Sequence, residues 1–78
     1  MLEQDLEKMS IGELTSRLRK LDNLGLNSHE DTRRSIRVEL FKRGVHNING
    51  IPLETLLRNP TIKEDYEEAQ RRLESETL

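Results

Sequence analysis

The chain has 78 residues, of which 32% are hydrophobic and 36% are charged, so it has room for one small domain with a thin core. It contains no cysteine, which excludes disulfides and thiolate metal ligands, and no signal peptide or apolar run near the ~20 residues of a membrane helix. We therefore expect one soluble, cytoplasmic domain over residues 1–78, with no membrane contact and with frayed ends at 1–9 and 75–78.

Charge is unevenly distributed along the chain, although the net charge is only −2. Residues 17–43 carry a net charge of +4, whereas residues 1–16 and 44–78 carry −3 each. Such a basic middle can be neutralised inside the fold, or it can present a positive face to an anionic partner. The sequence leaves both alternatives open.

The first long helix is predicted over about 11–24. Ser10 and Glu13 have the spacing of a capping box, which satisfies the free N–H groups at a helix start. One face then carries the apolar residues Ile11, Leu14, Leu18 and Leu21. Gly25 followed by the apolar Leu26 is typical of a helix end.

A second helix is predicted over about 29–43, with Asn27 or Ser28 as its cap and a stop at Gly44 followed by Val45. The short link between the two helices predicts an antiparallel helical hairpin. Its apolar stripes predict that four residues meet between the helices, namely Leu14, Leu18, Ile36 and Leu40.

The C-terminal half is predicted to contain a turn-rich connector at 46–50 and a short helix after Pro52. A longer helix is predicted to begin at Pro60, with Asn59 as its cap. Residues 1–9 can add a helical turn or two through Leu2, Leu6 and Met9. No segment alternates as a strand would. The predicted fold class is all-α: the helical hairpin, then a short helix and a C-terminal helix.

Catalysis is not expected from these residues. His29 and His46 stand apart, without a second histidine at metal-ligand spacing, and no phosphate-binding loop or nucleophile motif is present. The acidic residues at 64–68 are typical of a solvated, salt-bridged helix face. We therefore predict no catalytic residue, no metal and no cofactor.

The candidate interaction surface comes from the basic middle of the chain. It comprises Arg17, Lys20, Arg33, Arg34, Arg37 and Phe41. These cations can meet the acidic face of a protein, cover the core with their alkyl stems, or bind nucleic acid, although only Phe41 and Tyr66 offer aromatic rings for base stacking. The two helices carry more apolar residues than a hairpin can bury by itself, so a homodimer is a further alternative.

The helical hairpin resembles a known family. The segments MSIGELTSRLRKLDNLGLN and SIRVELFKRGV, within about residues 9–45, are similar to the hairpin of the small sporulation histidine-kinase inhibitors of the Sda type. The shared features are a Ser cap, a Leu–Asn turn and a final Glu–aliphatic–basic run. The resemblance implies a small helical hairpin that acts by binding a protein.

A second likeness covers residues 36–57. The residues that carry it are Ile36, Leu40, Lys42, Arg43, Gly44, Val45 and Gly50. They resemble the SAP/HeH type of helix–extended loop–helix unit, which implies nucleic-acid binding. The sequence thus predicts a small regulatory or adaptor protein that binds another protein, with a nucleic-acid-binding accessory protein, acting through 17–43, as the alternative.

Overall fold

The computed structural model describes residues 3–25 and 29–77, and most of these residues are helical. In chain order the elements are α1 Glu3–Lys8, α2 Ile11–Asn23, α3 Glu30–Lys42, β1 Asn47–Ile48, β2 Ile51–Pro52, α4 Leu53–Leu56 and α5 Pro60–Thr77. The predicted all-α fold class is confirmed, with one very small sheet added.

The predicted start of α2 is observed. The Oγ atom of Ser10 accepts a hydrogen bond of 3.1 Å from the backbone N–H of Glu13, as expected for an N-cap serine. The helix ends with Leu24 as its cap, and Gly25 follows with φ of +128°. Leu26, the apolar residue predicted to pack behind this stop, lies outside the described residues.

The predicted end of α3 is also observed. Gly44 has φ of +80°, a left-handed conformation in which glycine has no steric penalty. Its N–H donates to the carbonyl of Phe41, and the N–H of Val45 donates to that of Leu40, which is the Schellman pattern. At the other end, His29 is the N-cap, while the predicted caps at 27–28 lie outside the described residues.

The segment predicted as a turn-rich connector is a β-hairpin. Asn47 pairs with Pro52 and Ile48 with Ile51, in antiparallel register. The turn residues Asn49 and Gly50 have φ of +52° and +87°, as a type I′ turn requires. The expectation of no strand was therefore wrong here, because two-residue strands depend on turn chemistry and are too short to show alternation.

Helix α3 lies at the centre of the fold. Arg33 in its first turn contacts Asp22 near the end of α2, whereas Arg43 just after α3 donates to the carbonyl of Met9 just before α2. These contacts at opposite ends show that α2 and α3 run antiparallel. Arg43 also donates to the carbonyl of Leu6 in α1, whose side chain is buried, so α1 is packed against the same end of α3.

Helix α5 packs along α3 and runs in the same direction. Asp65 in its second turn contacts Arg37, and Glu76 near its end contacts Lys42. The connection through the β-hairpin and α4 therefore carries the chain back to the beginning of α3 before α5 starts.

The core forms where α2, α3 and α5 meet. The four residues predicted to meet are all at most 2% exposed, namely Leu14, Leu18, Ile36 and Leu40. They belong to one cluster that also includes Leu6, Val38, Phe41, Ile48, Leu56 and Ala69. The predicted packing of the two long helices is confirmed.

Truncation of a core leucine tests this packing. Leu18→Ala should lower the free energy of unfolding by about 2–5 kcal/mol, because Leu18 is only 2% exposed and its removal leaves a cavity. The control is Ile11→Ala in the same helix, where Ile11 is 45% exposed and we expect a change within about 0.5 kcal/mol. Urea denaturation measures both, and equal midpoints would contradict the observed burial.

Two glycine-to-alanine variants test the turn of the β-hairpin. Gly50→Ala should destabilise the domain by about 1–2 kcal/mol, since its φ of +87° is left-handed while no atom lies within 4 Å of the added Cβ. Gly12→Ala should instead stabilise the domain by up to about 1 kcal/mol, because Gly12 is helical and its Cβ would meet only Ser10 Oγ at 3.9 Å. Thermal unfolding compares the two, and a midpoint that is unchanged or raised in Gly50→Ala would contradict the type I′ turn.

Candidate functional site

The six residues of the predicted interaction surface do not form one surface. Arg17 and Lys20 are exposed on α2. Arg33 and Arg37 are only 9% and 8% exposed, and Phe41 is 2% exposed. Most of the cations on α3 are therefore paired inside the fold, which is the first of the two alternatives that the sequence left open.

Phe41 belongs to the core. Its ring meets that of Tyr66 edge to face, with 5.3 Å between the ring centroids, because α5 covers this side of α3. Such pairs add a small stabilisation beyond the area that they bury. Phe41 is therefore unavailable to a partner.

Asp65 organises the interface between α3 and α5. It is 1% exposed, and its carboxylate lies 2.5 Å from Nε of Arg37 and 3.3 Å from Nε of Arg34. Burial raises the pKa of Asp65 above its ordinary value, while the hydrogen bond and charge of Arg37 and the charge of Arg34 act in the opposite direction. The prediction of a solvated, salt-bridged acidic face at 64–68 was wrong about solvation at this residue, which is salt-bridged but buried.

The remaining cations of α3 are paired as well. Lys42 donates to Glu76 at 2.8 Å, and this hydrogen bond raises the pKa of Lys42. Arg43 contacts Glu39 at 2.8 Å and also binds backbone carbonyls of the α1 region. Acidic side chains of the fold thus neutralise the charge of these residues, and backbone carbonyls accept further hydrogen bonds from Arg43.

Three cations on α2 remain exposed: Arg17, Arg19 and Lys20. None of them makes an ion pair or a side-chain hydrogen bond within residues 3–25 and 29–77. They lie on two sides of the helix, since Arg19 borders one concave region and the other two border another.

The first concave region, called the cleft below, has a volume of about 660 Å³ and lies between the second half of α2, the β-hairpin and the start of α5. Its apolar lining consists of Leu18, Ile48, Ile51, Leu56 and Ile62. Ile51 is 44% exposed, a high value for a large aliphatic side chain in so thin a core. The β-hairpin is held beside α2, since Asn49 Nδ2 donates to the carbonyl of Thr15 at 3.4 Å.

The polar lining of the cleft is dominated by arginine. Arg19, Arg33 and Arg37 line it, together with the acids Asp22 and Glu30. Asp22 forms an ion pair with Arg33, with 3.2 Å between Oδ1 and Nη1, and Glu30 is exposed at the beginning of α3. The cleft therefore combines aliphatic surface with two ion-paired arginines, Arg33 and Arg37, and with Arg19, which is unpaired among the described residues.

The start of α5 also borders the cleft through Asn59 and Thr61. The Oδ1 atom of Asn59 accepts a hydrogen bond of 2.9 Å from the N–H of Thr61, so Asn59 is the predicted cap and Pro60 follows it. No acidic residue stands in the first turn of this helix. The positive end of its dipole thus adds to the charge of the arginines.

The second concave region, called the outer groove below, has a volume of about 750 Å³ and runs along the opposite side of α2. Met9 and Leu21 line it, with Arg17 and Lys20 beside them. It has fewer aliphatic side chains than the cleft and is formed by a single helix and the turn before it.

Sequence reasoning missed most of the cleft. Only Arg33 and Arg37 of the predicted surface line it, whereas Ile48, Ile51 and Ile62 were not selected. The available signal was the Asn–Gly pair at 49–50, since this dipeptide between apolar residues indicates a β-hairpin.

The comparisons add no relative: the chain matches no protein-family model, no curated protein and no solved structure. Within the described ranges, no helix is long and apolar enough to span a membrane, and no group of three His, Asp or Glu side chains is placed to hold a metal ion. His29 and His46 are both exposed. The likenesses to Sda-type and SAP/HeH-type units stay predictions.

The buried ion pair can be tested by removing one partner. Arg37→Met should lower the free energy of unfolding by about 3–5 kcal/mol at pH 7, because it leaves Asp65 buried with less compensation. The double variant Arg37→Met/Asp65→Leu should recover much of this loss. Arg71→Met, which removes an exposed pair with Glu68, should cost less than about 1 kcal/mol.

The same variant predicts a pH dependence. Without Arg37 the pKa of Asp65 rises further, so the folded state takes up a proton more readily than the unfolded state. The stability lost in Arg37→Met should therefore be smaller at pH 4 than at pH 7. Chemical denaturation at both values measures this difference, and a penalty independent of pH would show that Asp65 is adequately compensated by Arg34 alone.

Proposed function

We propose that this chain is a small, non-catalytic regulatory or adaptor protein that binds another protein, and that the cleft is its binding surface. The observation that carries the proposal is the cleft itself: an open concavity of about 660 Å³ in which an exposed isoleucine and arginines lie together. Protein interfaces favour this combination, since apolar anchors supply affinity and arginine is enriched among binding hot spots. The proposal includes a cytoplasmic location, which the absence of cysteine favours.

The ion pairing of the buried Asp65 supports a role without catalysis. Asp65 is the carboxylate most strongly desolvated among the described side chains, and both of its oxygens face arginines of α3. A carboxylate held in this way serves packing rather than proton transfer. The two histidines are exposed and stand on different loops.

Nucleic acid remains the alternative partner and becomes an outcome of the test. Internal pairing of Arg34, Arg37 and Lys42 removes much of the positive face that phosphates would need. The salt dependence of nucleic-acid binding is therefore tested by substituting Arg17 and Lys20, which are exposed. Reversing the charge of Arg33 or Arg37 would instead disrupt the fold.

The test compares capture of partners by two variants of matched exposure. Ile51 is 44% exposed and lines the cleft, whereas Ile11 is 45% exposed and does not. We expect Ile51→Asp to reduce the amount of protein captured from an extract of the source cells by about tenfold or more, because docking of a partner would bury the new charge. Ile11→Asp should leave capture unchanged.

The capture is repeated with and without nuclease at about 50 and 200 mM salt, where phosphate contacts lose orders of magnitude in affinity. Capture that resists nuclease and depends on Ile51 supports the proposal. Capture that vanishes with nuclease, and that weakens in Arg17→Ala/Lys20→Ala, establishes the alternative. Light scattering tests for a homodimer. A mass of twice 9.2 kDa for the wild-type protein, and of 9.2 kDa for Ile51→Asp, would show that the partner is a second copy of the chain.

A further inference from the structure

From the polar groups of the cleft, and resting on the function proposed above, we infer that the partner docks there through an acidic–apolar peptide segment. An aliphatic side chain of that segment occupies the apolar lining, and a neighbouring carboxylate meets Arg37 and Arg19. The partner chemistry is thus an Asp or Glu next to a Leu, Ile or Phe.

The main observation is that Arg37 is buried and has hydrogen-bond donors without a partner among the described residues. Its side chain is 10% exposed, and its Nε atom is bound to Asp65. Within the described part of the chain, its Nη1 and Nη2 atoms make no hydrogen bond, yet neither is enclosed away from solvent. Arg37 is among the residues that line the cleft, so a carboxylate docked there is near its side chain, and the two free nitrogens are the donors that it would bind in a bidentate manner.

Two further features add positive potential at the same place. Arg19 is exposed at the cleft and is not paired with any acid of the described residues. The N-terminal turn of α5, with Asn59 and Thr61 at the cleft, has no acidic residue of its own. Asp22 is paired with Arg33 and Asp65 with Arg37. The attraction for an incoming carboxylate therefore comes from the unpaired Arg19 and from the free donors of Arg37, against Glu30 as the single unpaired acid among the described residues that line the cleft.

The apolar lining explains why a peptide segment fits better than a free anion. Ile48 and Leu56 are 4% and 6% exposed, so they form the bottom of a site that is already built, and Ile51 at its edge is largely open. A free phosphate or carboxylate would leave this aliphatic surface in water. A segment with an aliphatic anchor beside an acid uses both parts of the lining.

The test begins with selection of random dodecapeptides displayed on phage against the wild-type protein. We expect enrichment of an acidic residue adjacent to an aliphatic or aromatic one. The best binder is then synthesised with a fluorescent label, together with a counterpart in which each Asp or Glu is replaced by Asn or Gln. Fluorescence polarisation should show at least tenfold weaker binding of the counterpart, since it loses charge-assisted hydrogen bonds.

Matched variants locate the binding. Arg19→Gln should weaken binding of the acidic peptide by about tenfold, whereas Arg17→Gln, in the outer groove of the same helix, should leave it unchanged. Arg37→Lys keeps a cation for Asp65 but removes the planar donor pair, so it should weaken binding of the peptide as well, with a denaturation midpoint between those of wild type and Arg37→Met. Amide chemical shifts at Asn49 and Thr61 should move on titration of the wild-type protein.

The outcomes separate this inference from the proposed function. Equal binding of the amide counterpart, enrichment of basic or uncharged peptides, or equal effects of Arg17→Gln and Arg19→Gln would overturn the acidic–apolar partner. Capture that depends on Ile51 would still support protein binding in that case. If peptides show no enrichment and capture is also insensitive to Ile51→Asp, both the inference and the proposed function are rejected. Inorganic phosphate that binds at least as tightly as the selected peptide would assign the site to a free anion and overturn the inference.

Discussion

The carboxylate of Asp65 is the group on which the arrangement of this small domain depends. It lies at the interface of α3 and α5, 1% exposed, between the guanidinium groups of Arg37 and Arg34. A charge buried in this way is tolerated only when its partners are in place, so the pair fixes the position of α5 along α3. The start of α5, and with it one wall of the cleft, follows from that position.

The same pairing determines which charges remain for a partner. Acidic side chains pair with the basic residues of α3 and with Arg43, so the net charge of residues 17–43 overstates the positive charge at the surface. Arg19 stays exposed at the cleft, and Arg37 contributes only one of its three nitrogens to Asp65. The interaction that holds the core together therefore also leaves a preorganised donor pair at the surface.

Two features that the sequence analysis missed had visible signals. Asp65 follows Ile62 by three residues and precedes Ala69 by four, so it lies on the apolar face of its helix, where a charge requires a buried partner. Arg33 and Arg37 lie likewise on the face that carries Leu40. The dipeptide Asn49–Gly50 supplies the positive φ values of a type I′ turn. Each signal was local, but its meaning depended on a neighbour from elsewhere in the chain.

The sequence by itself determined the helical class, the apolar faces of α2 and α3 that carry three leucines and one isoleucine, the caps at Ser10 and Asn59 and the stop at Gly44. These features rest on interactions within a few residues, which spacing and residue type specify directly. Only the tertiary structure decided which cations are buried and where the cleft lies. Those outcomes depend on contacts across 28 residues, from Arg37 to Asp65, and 34 residues, from Lys42 to Glu76. Many pairings of 13 basic and 15 acidic side chains satisfy the same pattern, and packing of the helices selects among them.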